Sequence, residues 1–180
     1  MTDFASGIAR LDAAGITGWQ DDLAGLLIVC VAHGGSLGYR APLAPERARA
    51  VFAALAEAER AGQALVFTAI IDGRIAGCIA VLAERRETEP HVAEIGKLMV
   101  HPEFRRLGIG AALIAAAERA AFAWSRPRLY LFAADDGTAP AFYDRVGYVR
   151  AGRIPEAAAL PDGSLADALI FTRRLSGDSA

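Results

Sequence analysis

Residues 97–111 read KLMVHPEFRRLGIGA: the apolar end of a strand, a basic turn with two glycines, and the start of an apolar helix. Beyond the turn, apolar side chains recur at spacings of three and four as far as Trp124, which predicts a helix with one buried face. The first amides of a helix have no partner within it and together carry about half a positive charge. Because two arginines precede them, the segment predicts a binding site for an anion such as pyrophosphate.

The two glycines of this turn, Gly108 and Gly110, allow the backbone to approach a ligand closely. A strand, a glycine turn and a helix can also be only a packing device, so the residue spacing matters more than the glycines. The segment contains neither the dinucleotide pattern G-x-G-x-x-G nor the Gly-Lys-Ser/Thr of a P-loop. Nucleoside triphosphate chemistry is therefore not expected.

The bulk composition predicts one domain over residues 1–175, followed by a flexible tail at 176–180. With 180 residues and a hydrophobic fraction of 54%, the chain can bury a sizeable core. The net charge of -2 argues against nucleic acid or a membrane surface as partner and favours a small molecule. The N-terminus has no secretory-signal pattern, and no apolar run approaches the ~20 residues of a membrane span. We therefore expect a cytoplasmic protein.

Cysteine and histidine usage gives no metal-site pattern. Cys30 and Cys78 both lie in apolar runs, which favours buried, reduced thiols over a disulfide or a nucleophile. The three histidines, His33, His91 and His101, have neither a partner four residues away nor a cysteine neighbour. We therefore expect no metal ion.

Hydrophobic periodicity and turn residues divide the chain into alternating strands and helices. The Asp72-Gly73 pair between two β-branched runs predicts a tight antiparallel hairpin. Strands are predicted at residues 7–13, 64–71, 74–83, 91–101, 128–132, 148–154 and 166–175. Helices are predicted at residues 18–33, 45–61, 108–124 and 138–146. From the hairpin onward the order is β-β-β-α-β-α-β, with one further strand at the end.

Two motifs in this arrangement resemble those of the GNAT superfamily of N-acetyltransferases. Arg105-x-x-Gly108-x-Gly110 after Leu-Met-Val and His-Pro resembles its acetyl-CoA signature, and residues 139–148 resemble its A-x-x-x-Y-x-x-x-G-F/Y motif. Three further segments resemble a bacterial branch related to tabtoxin-resistance acetyltransferases: residues 35–39, 152–155 and 161–163. The resemblance implies an α+β fold whose mostly antiparallel sheet, flanked by helices, has two central parallel strands that splay apart.

The resemblance also implies acetyl-CoA as cofactor and names the residues that contact it. Backbone groups of the strand end would hold the pantetheine and the thioester; these residues are Leu98, Met99 and Val100. The turn and first helical residues would hold the pyrophosphate; these are Arg105, Arg106, Leu107, Gly108, Ile109, Gly110 and Ala111. The alternatives are ordinary core packing for the leucine and valine and a solvated charged turn for the arginines.

Two residues are candidates for catalysis. Tyr143 corresponds to the family tyrosine whose hydroxyl lies near the coenzyme sulfur and can act as general acid; the alternative is an aromatic ring packed against the neighbouring strand with its hydroxyl in water. Glu94 corresponds to an acidic residue of the family's Ala-Glu-Ile/Val segment and is the candidate base. The alternative for Glu94 is a structural carboxylate paired with Lys97 or an arginine. We attribute the presence of only one lysine, Lys97, among 19 basic residues to base composition.

One position departs from the branch that the chain resembles. Phe132 stands where related proteins often carry an aspartate proposed as a second base, which weakens a two-carboxylate mechanism. Asp136 stands where many family members have an asparagine that contacts the cofactor. Asp136 can equally cap the helix that begins near Thr138.

The resemblance implies acetyl transfer to the primary amine of a small molecule, by direct attack within a ternary complex. The main alternative is a CoA-binding regulatory protein of the same fold without turnover, and a third is a nucleotide-binding module that uses the Arg105–Gly110 turn. Homodimers are common among proteins of this resemblance. Tyr39 and Trp19 could line the acceptor pocket, although core packing is the stronger interpretation of Trp19.

Overall fold

A computed structural model describes residues 7–177 and contains a seven-stranded sheet with helices on both faces. The strands are β1 (Ile8–Leu11), β2 (Ala64–Ile71), β3 (Arg74–Ala83), β4 (Val92–Val100), β5 (Arg128–Ala134), β6 (Val149–Ala159) and β7 (Leu165–Arg174). The helices are α1 (Ala13–Gly18), α2 (Gln20–Ala32), α3 (Pro45–Arg60), α4 (Ile109–Ala123) and α5 (Thr138–Arg145), with a short 3₁₀ turn at Pro102–Phe104.

The strands lie in the order β1-β2-β3-β4-β5-β7-β6, and every neighbouring pair is antiparallel except β4 and β5. This arrangement confirms the predicted α+β fold class and its mostly antiparallel sheet. Within the described residues, none of the helices has the length and apolar character that crossing a bilayer requires. Part of the predicted C-terminal tail, residues 178–180, lies outside the described residues.

Near the N-terminus the structure differs from the predicted strand at residues 7–13. β1 ends at Leu11, because the side chain of Asp12 accepts a hydrogen bond from the Gly15 amide at 2.7 Å and caps a new helix, α1. Glu59 of α3 also accepts a hydrogen bond from the Ala13 amide at 2.9 Å. The predicted strand is therefore too long, and a short helix precedes α2.

At the opposite edge of the sheet, β6 continues five residues beyond the predicted end at Ile154. Proline is compatible with an edge strand, so Pro155 does not end it. The extension passes through an irregularity, in which the Glu156 amide donates to Asp167 of β7 at 2.9 Å and Arg153 forms an ion pair with the same carboxylate. These contacts keep β6 on β7 across the irregularity.

Two hydrophobic clusters fill the two faces of the sheet. One combines α4 with β2, β3, β4, β5 and β7, and also contains Tyr143. The other combines α1, α2 and α3 with the first four strands. Cys30 and Cys78 are buried free thiols in this second cluster, which confirms the interpretation of the two cysteines.

Gly77 of β3 allows α4 to lie close to the sheet. A Cβ atom at this position would be 2.9 Å from the Met99 carbonyl oxygen, 3.0 Å from Leu113 Cδ1 and 3.2 Å from Ile109 Cγ2. We expect Gly77→Ala to lower the free energy of unfolding by about 1–3 kcal/mol, because an added methyl group overpacks this contact. Chemical denaturation measures the effect.

The matched control is Gly25→Ala in α2, where no atom lies within 4 Å of the added Cβ. Alanine has the higher helix propensity, so this variant should be at least as stable as the parent. Equal stability of Gly77→Ala and the parent would contradict the close approach of α4 to the sheet.

Candidate active site

The two parallel strands part after a short paired segment. β4 and β5 pair only at Val92 with Arg128, Ala93 with Leu129, and Glu94 with Tyr130. In the neighbouring β3–β4 pair, Cys78 lies opposite Met99 and Ala80 opposite Gly96. This register leaves two residues of β4, Lys97 and Leu98, opposite the single residue Ile79.

The two-against-one register is a β-bulge, which bends a strand and increases its local twist. Lys97 has a positive φ of 54°, a conformation that is uncommon for a residue with a side chain. Beyond Glu94, β4 therefore separates from β5. Backbone groups along the resulting gap are available to an extended ligand.

The turn after β4 presents the start of α4 to the same gap. Arg106 and Gly108 both have positive φ, 64° and 84°. Gly108 is the N-cap of α4, and no side chain accepts a hydrogen bond from the first amides there. Arg105 Nε donates to the Val100 carbonyl oxygen at 3.4 Å and fastens the turn to the end of β4. The turn thus combines free helix amides with two exposed arginines, a combination that suits an anion.

The predicted cofactor contacts differ in what they can offer a ligand. The side chains of Met99 and Ile109 are buried in opposite hydrophobic clusters, so only their backbone groups can contact it. Leu98 and Val100 are partly buried against the α4 cluster. Leu107, in contrast, is 48% exposed at the turn.

Gly110 lies at the close contact between α4 and α5. An added Cβ at Gly110 would lie 3.3 Å from the ring of Phe142. Ala111, one residue further along α4, is exposed. The second glycine of the signature therefore has a packing role in addition to any contact with a ligand.

Tyr143 of α5 has its ring in the core and only 9% of its surface exposed. The ring packs against Phe142, Tyr148 and Phe171, with centroids 5.4, 5.8 and 5.5 Å away. Burial raises the pKa of its hydroxyl, so the group stays protonated at neutral pH. The aromatic packing of the alternative is observed, but the hydroxyl is buried and not in water. The general-acid role of Tyr143 stays a prediction.

Asp136 is the cap of α5. Its Oδ1 accepts hydrogen bonds from the amides of Thr138 at 2.9 Å and Ala139 at 3.1 Å. The capping alternative is therefore present in the structure, and the cofactor contact of Asp136 stays a prediction.

Glu94 lies where the gap opens and lines a cavity of about 280 Å³. Glu84 and Tyr130 line the same cavity, and the Tyr130 hydroxyl donates to Glu84 Oε2 at 3.2 Å. Burial raises the pKa of Glu94; the nearby Lys97 ammonium opposes this effect, and the Glu84 carboxylate reinforces it. Burial and the two carboxylates also raise the pKa of Tyr130 to about 12. A raised pKa makes the Glu94 carboxylate a stronger proton acceptor than an exposed glutamate.

Lys97 extends from the bulge toward the same side as Glu94. Its Nζ lies 5.5 Å from the centroid of the Tyr39 ring. Within residues 7–177, no ion pair involves Glu94 or Lys97. The alternative of a structural Glu94 salt bridge is therefore not what the structure shows.

Glu84 and Tyr130 are cavity residues that the sequence interpretation missed. A signal for Tyr130 was available, because the parallel pairing of β4 and β5 makes it the neighbour of Glu94. Phe132, two residues on, points to the same side: its ring is 5.9 Å from that of Tyr130 and it is 52% exposed. Across the part of the chain that is described, no three His, Cys, Asp or Glu side chains are grouped to hold a metal ion.

Solved structures of acetyltransferases share this fold. A ribosomal-protein-alanine N-acetyltransferase from Brucella melitensis has a TM-score of 0.76 at 18% identity, covering 93% of this chain and 99% of that one. An N-acetyltransferase from Staphylococcus aureus has a TM-score of 0.76 at 14% identity, with 94% and 99% covered. A Salmonella typhimurium protein solved with its cofactor acetyl-CoA has a TM-score of 0.75 at 14% identity, with 97% of each chain covered.

The sequence itself matches a family at the segment that contains the bulge, the turn and α4. Residues 36–148 match the family model of the Acetyltransferase (GNAT) family, and this match spans more than half of the chain. The protein is therefore a member of the GNAT acetyltransferase family.

Proposed function

We propose that this protein transfers an acetyl group from acetyl-CoA to the primary amine of a small molecule by direct attack within a ternary complex. One observation carries the proposal: the gap between β4 and β5 has free helix amides at one end and the half-buried Glu94 at the other. Such a gap suits an extended cofactor with an anionic group at one end and a reacting group near the other.

The residues around the gap fit acetyl-CoA, which would supply an acetyl group activated as a thioester. Leu98, Met99 and Val100 would bind its pantetheine arm through their backbone groups. The first amides of α4, together with Arg105 and Arg106, would bind its pyrophosphate. In this proposal the β-bulge supplies the space and α4 supplies the positive end of a dipole.

Two proton movements are needed, and each has a candidate residue. Glu94 would accept a proton from the acceptor's ammonium group, directly or through a water molecule, so that a neutral amine attacks. Tyr143 would donate a proton to the departing thiolate. Asp136 would add a contact to the cofactor beyond its capping of α5.

The acceptor is proposed to be a small molecule because the cavity at Glu94 is compact. Two carboxylates, Glu84 and Glu94, and one arginine, Arg85, line it, and this excess of negative charge favours an ammonium group. We further propose that the chain belongs to the tabtoxin-resistance-like branch and acts in the cytoplasm, as a monomer or a homodimer. Neither nucleic acid nor a membrane is expected to take part, in keeping with the net charge of -2.

A second candidate function is a CoA-binding regulatory protein without turnover. Phe132, an exposed aromatic residue where the branch often has an aspartate, favours this alternative. It predicts CoA binding without acetyl transfer to any amine.

The test combines free-thiol release from acetyl-CoA, across a panel of small amines and amino acids, with calorimetric CoA binding. Release that depends on one amine would support the enzyme and define its acceptor class. CoA binding without release would favour the regulatory function, and no CoA binding would contradict the role assigned to the α4 turn.

Replacing Tyr143 with Phe should lower turnover by about 10²-fold, the lower end of the range associated with a missing general acid. Because phenylalanine keeps the aromatic packing, the fold should be retained. Steady-state kinetics with the identified amine measure the effect.

Tyr148→Phe is the matched control, since it removes a neighbouring buried tyrosine hydroxyl that has no role in the proposal. This control should keep its turnover. Full turnover of Tyr143→Phe would show that the hydroxyl is not the acid.

A further inference from the structure

Lys97, the only lysine of the chain, stands at the bulge that opens the gap. It directly precedes Leu98, Met99 and Val100, whose backbone groups are the proposed pantetheine contacts. Its side chain is half-buried, although lysine is rarely buried without a partner. The only lysine amine of the chain is therefore next to the part of β4 that is proposed to bind the cofactor.

The surroundings of Lys97 do not include an ion-pair partner. Across residues 7–177 its ammonium group forms no ion pair, and its Nζ lies over the face of the Tyr39 ring, 5.5 Å from the centroid. Burial lowers its pKa, while Glu94 and Cys78 are the groups that oppose this effect. A larger share of Lys97 is therefore a neutral, nucleophilic amine than for an exposed lysine.

Lys97 also shares its side of the sheet with Glu94. Glu94 lies opposite Leu82 of β3, and Leu82 packs against the same hydrophobic cluster as Tyr39, whose ring Lys97 faces. Under the proposed function, Glu94 takes a proton from an amine that attacks the thioester. An amine on this side of β4 is therefore in the region that the acceptor's amine would occupy.

We propose that Lys97 is a self-acetylation site: with no acceptor bound, its Nζ takes the acetyl group from bound acetyl-CoA. The inference rests on the proposed function. The lone pair of Nζ forms a bond to the acetyl carbonyl carbon, and the carbon–sulfur bond breaks as CoA leaves as a thiolate. Nζ loses one proton to Glu94, directly or through water, and the thiolate gains one, so an amide and free CoA are the only products.

Self-acetylation would change the site that performs it. The amide is neutral, so Glu94 would lose the cation that lowers its pKa. An acceptor bound at Glu94 would compete with Lys97 for the acetyl group. The modification should accordingly be slow in the presence of acceptor and faster in its absence.

The first experiment follows the mass of the intact protein during incubation with acetyl-CoA alone, then maps the modified peptide. We expect one acetyl group on Lys97, which excess free CoA prevents and which Lys97→Arg abolishes. Peptide mapping separates this site from the N-terminal amine. A second readout needs no acetyl-CoA: trace labelling with acetic anhydride should modify Lys97 in the free protein, and bound CoA should protect it.

Arg119→Lys is the matched control, because it places a lysine on an exposed position of α4. Lys97 should be acetylated at least about tenfold faster than this introduced lysine, since a group held beside its reaction partner has a high effective concentration. Equal rates at the two positions would overturn the proposal in favour of unassisted chemical acetylation.

The outcomes also separate this inference from the proposed function. Unmodified Lys97 in a sample that acetylates an added amine would overturn self-acetylation alone. A sample that neither binds CoA nor acetylates any amine would overturn the proposed function, and self-acetylation with it.

Discussion

Replacing Glu94 with Gln is expected to lower kcat/KM by about 10²- to 10⁴-fold, the contribution that a positioned general base makes. Glutamine keeps the size of the side chain and its place at the opening of the gap, but it cannot take a proton from an ammonium group. Steady-state rates with the identified amine measure the loss. Calorimetry should find CoA binding unchanged, because Glu94 has no part in the proposed cofactor contacts.

The pH dependence gives a sharper test of the same residue. Burial raises the pKa of Glu94, so kcat/KM should increase with pH as the carboxylate forms above the ordinary range of glutamate. Glu84→Gln removes a carboxylate that contributes to the raised pKa, so the acidic limb of the profile should move to lower pH. An unchanged profile in Glu94→Gln would rule out Glu94 as the base.

The second large effect concerns stability: Glu118→Ala should lower the free energy of unfolding by about 3 kcal/mol, in the range for breaking a buried ion pair. Glu118 of α4 is only 6% exposed, and its Oε1 lies 3.3 Å from Arg173 Nη1. The alanine variant leaves the partly buried guanidinium without its counter-charge. Thermal unfolding should show a decrease in Tm of about 6–12 °C for a chain of this size.

A double-mutant cycle with Arg173→Met separates the ion pair from general packing. Removing both charges should restore most of the lost stability, because no buried charge is then left alone. Arg173 also donates to the Val146 carbonyl, so a residual loss is expected in both variants that lack it. Additive losses in the double variant would contradict coupling between the two side chains.

Local sequence signals predicted those parts of the fold that local physics determines. Asp72-Gly73 specified the hairpin of β2 and β3, and both residues have the positive φ that such a turn needs. Apolar periodicity located α3 and α4 to within a residue or two. The signature glycines marked the turn between β4 and α4.

Features that depend on contacts between residues far apart in the sequence could not be predicted from local sequence signals. In the sequence, Asp12 resembles the last residue of a strand. In the structure a helix begins there, because Asp12 accepts a hydrogen bond from the Gly15 amide and Glu59 accepts one from the Ala13 amide. Glu84 joins the cavity at Glu94 only because the β4–β5 pairing brings Tyr130 between the two carboxylates. The bulge at Lys97 is visible only in the register against β3.

The short pairing of β4 with β5 also bears on how the molecule unfolds. Within residues 7–177, three residue pairs join a four-stranded half of the sheet to a three-stranded half, so few backbone hydrogen bonds couple the two halves. The α4 cluster spans that junction with side chains from both halves. Cooperativity of the whole domain therefore depends on α4 more than on the sheet, and weakening this helix should let the two halves open separately.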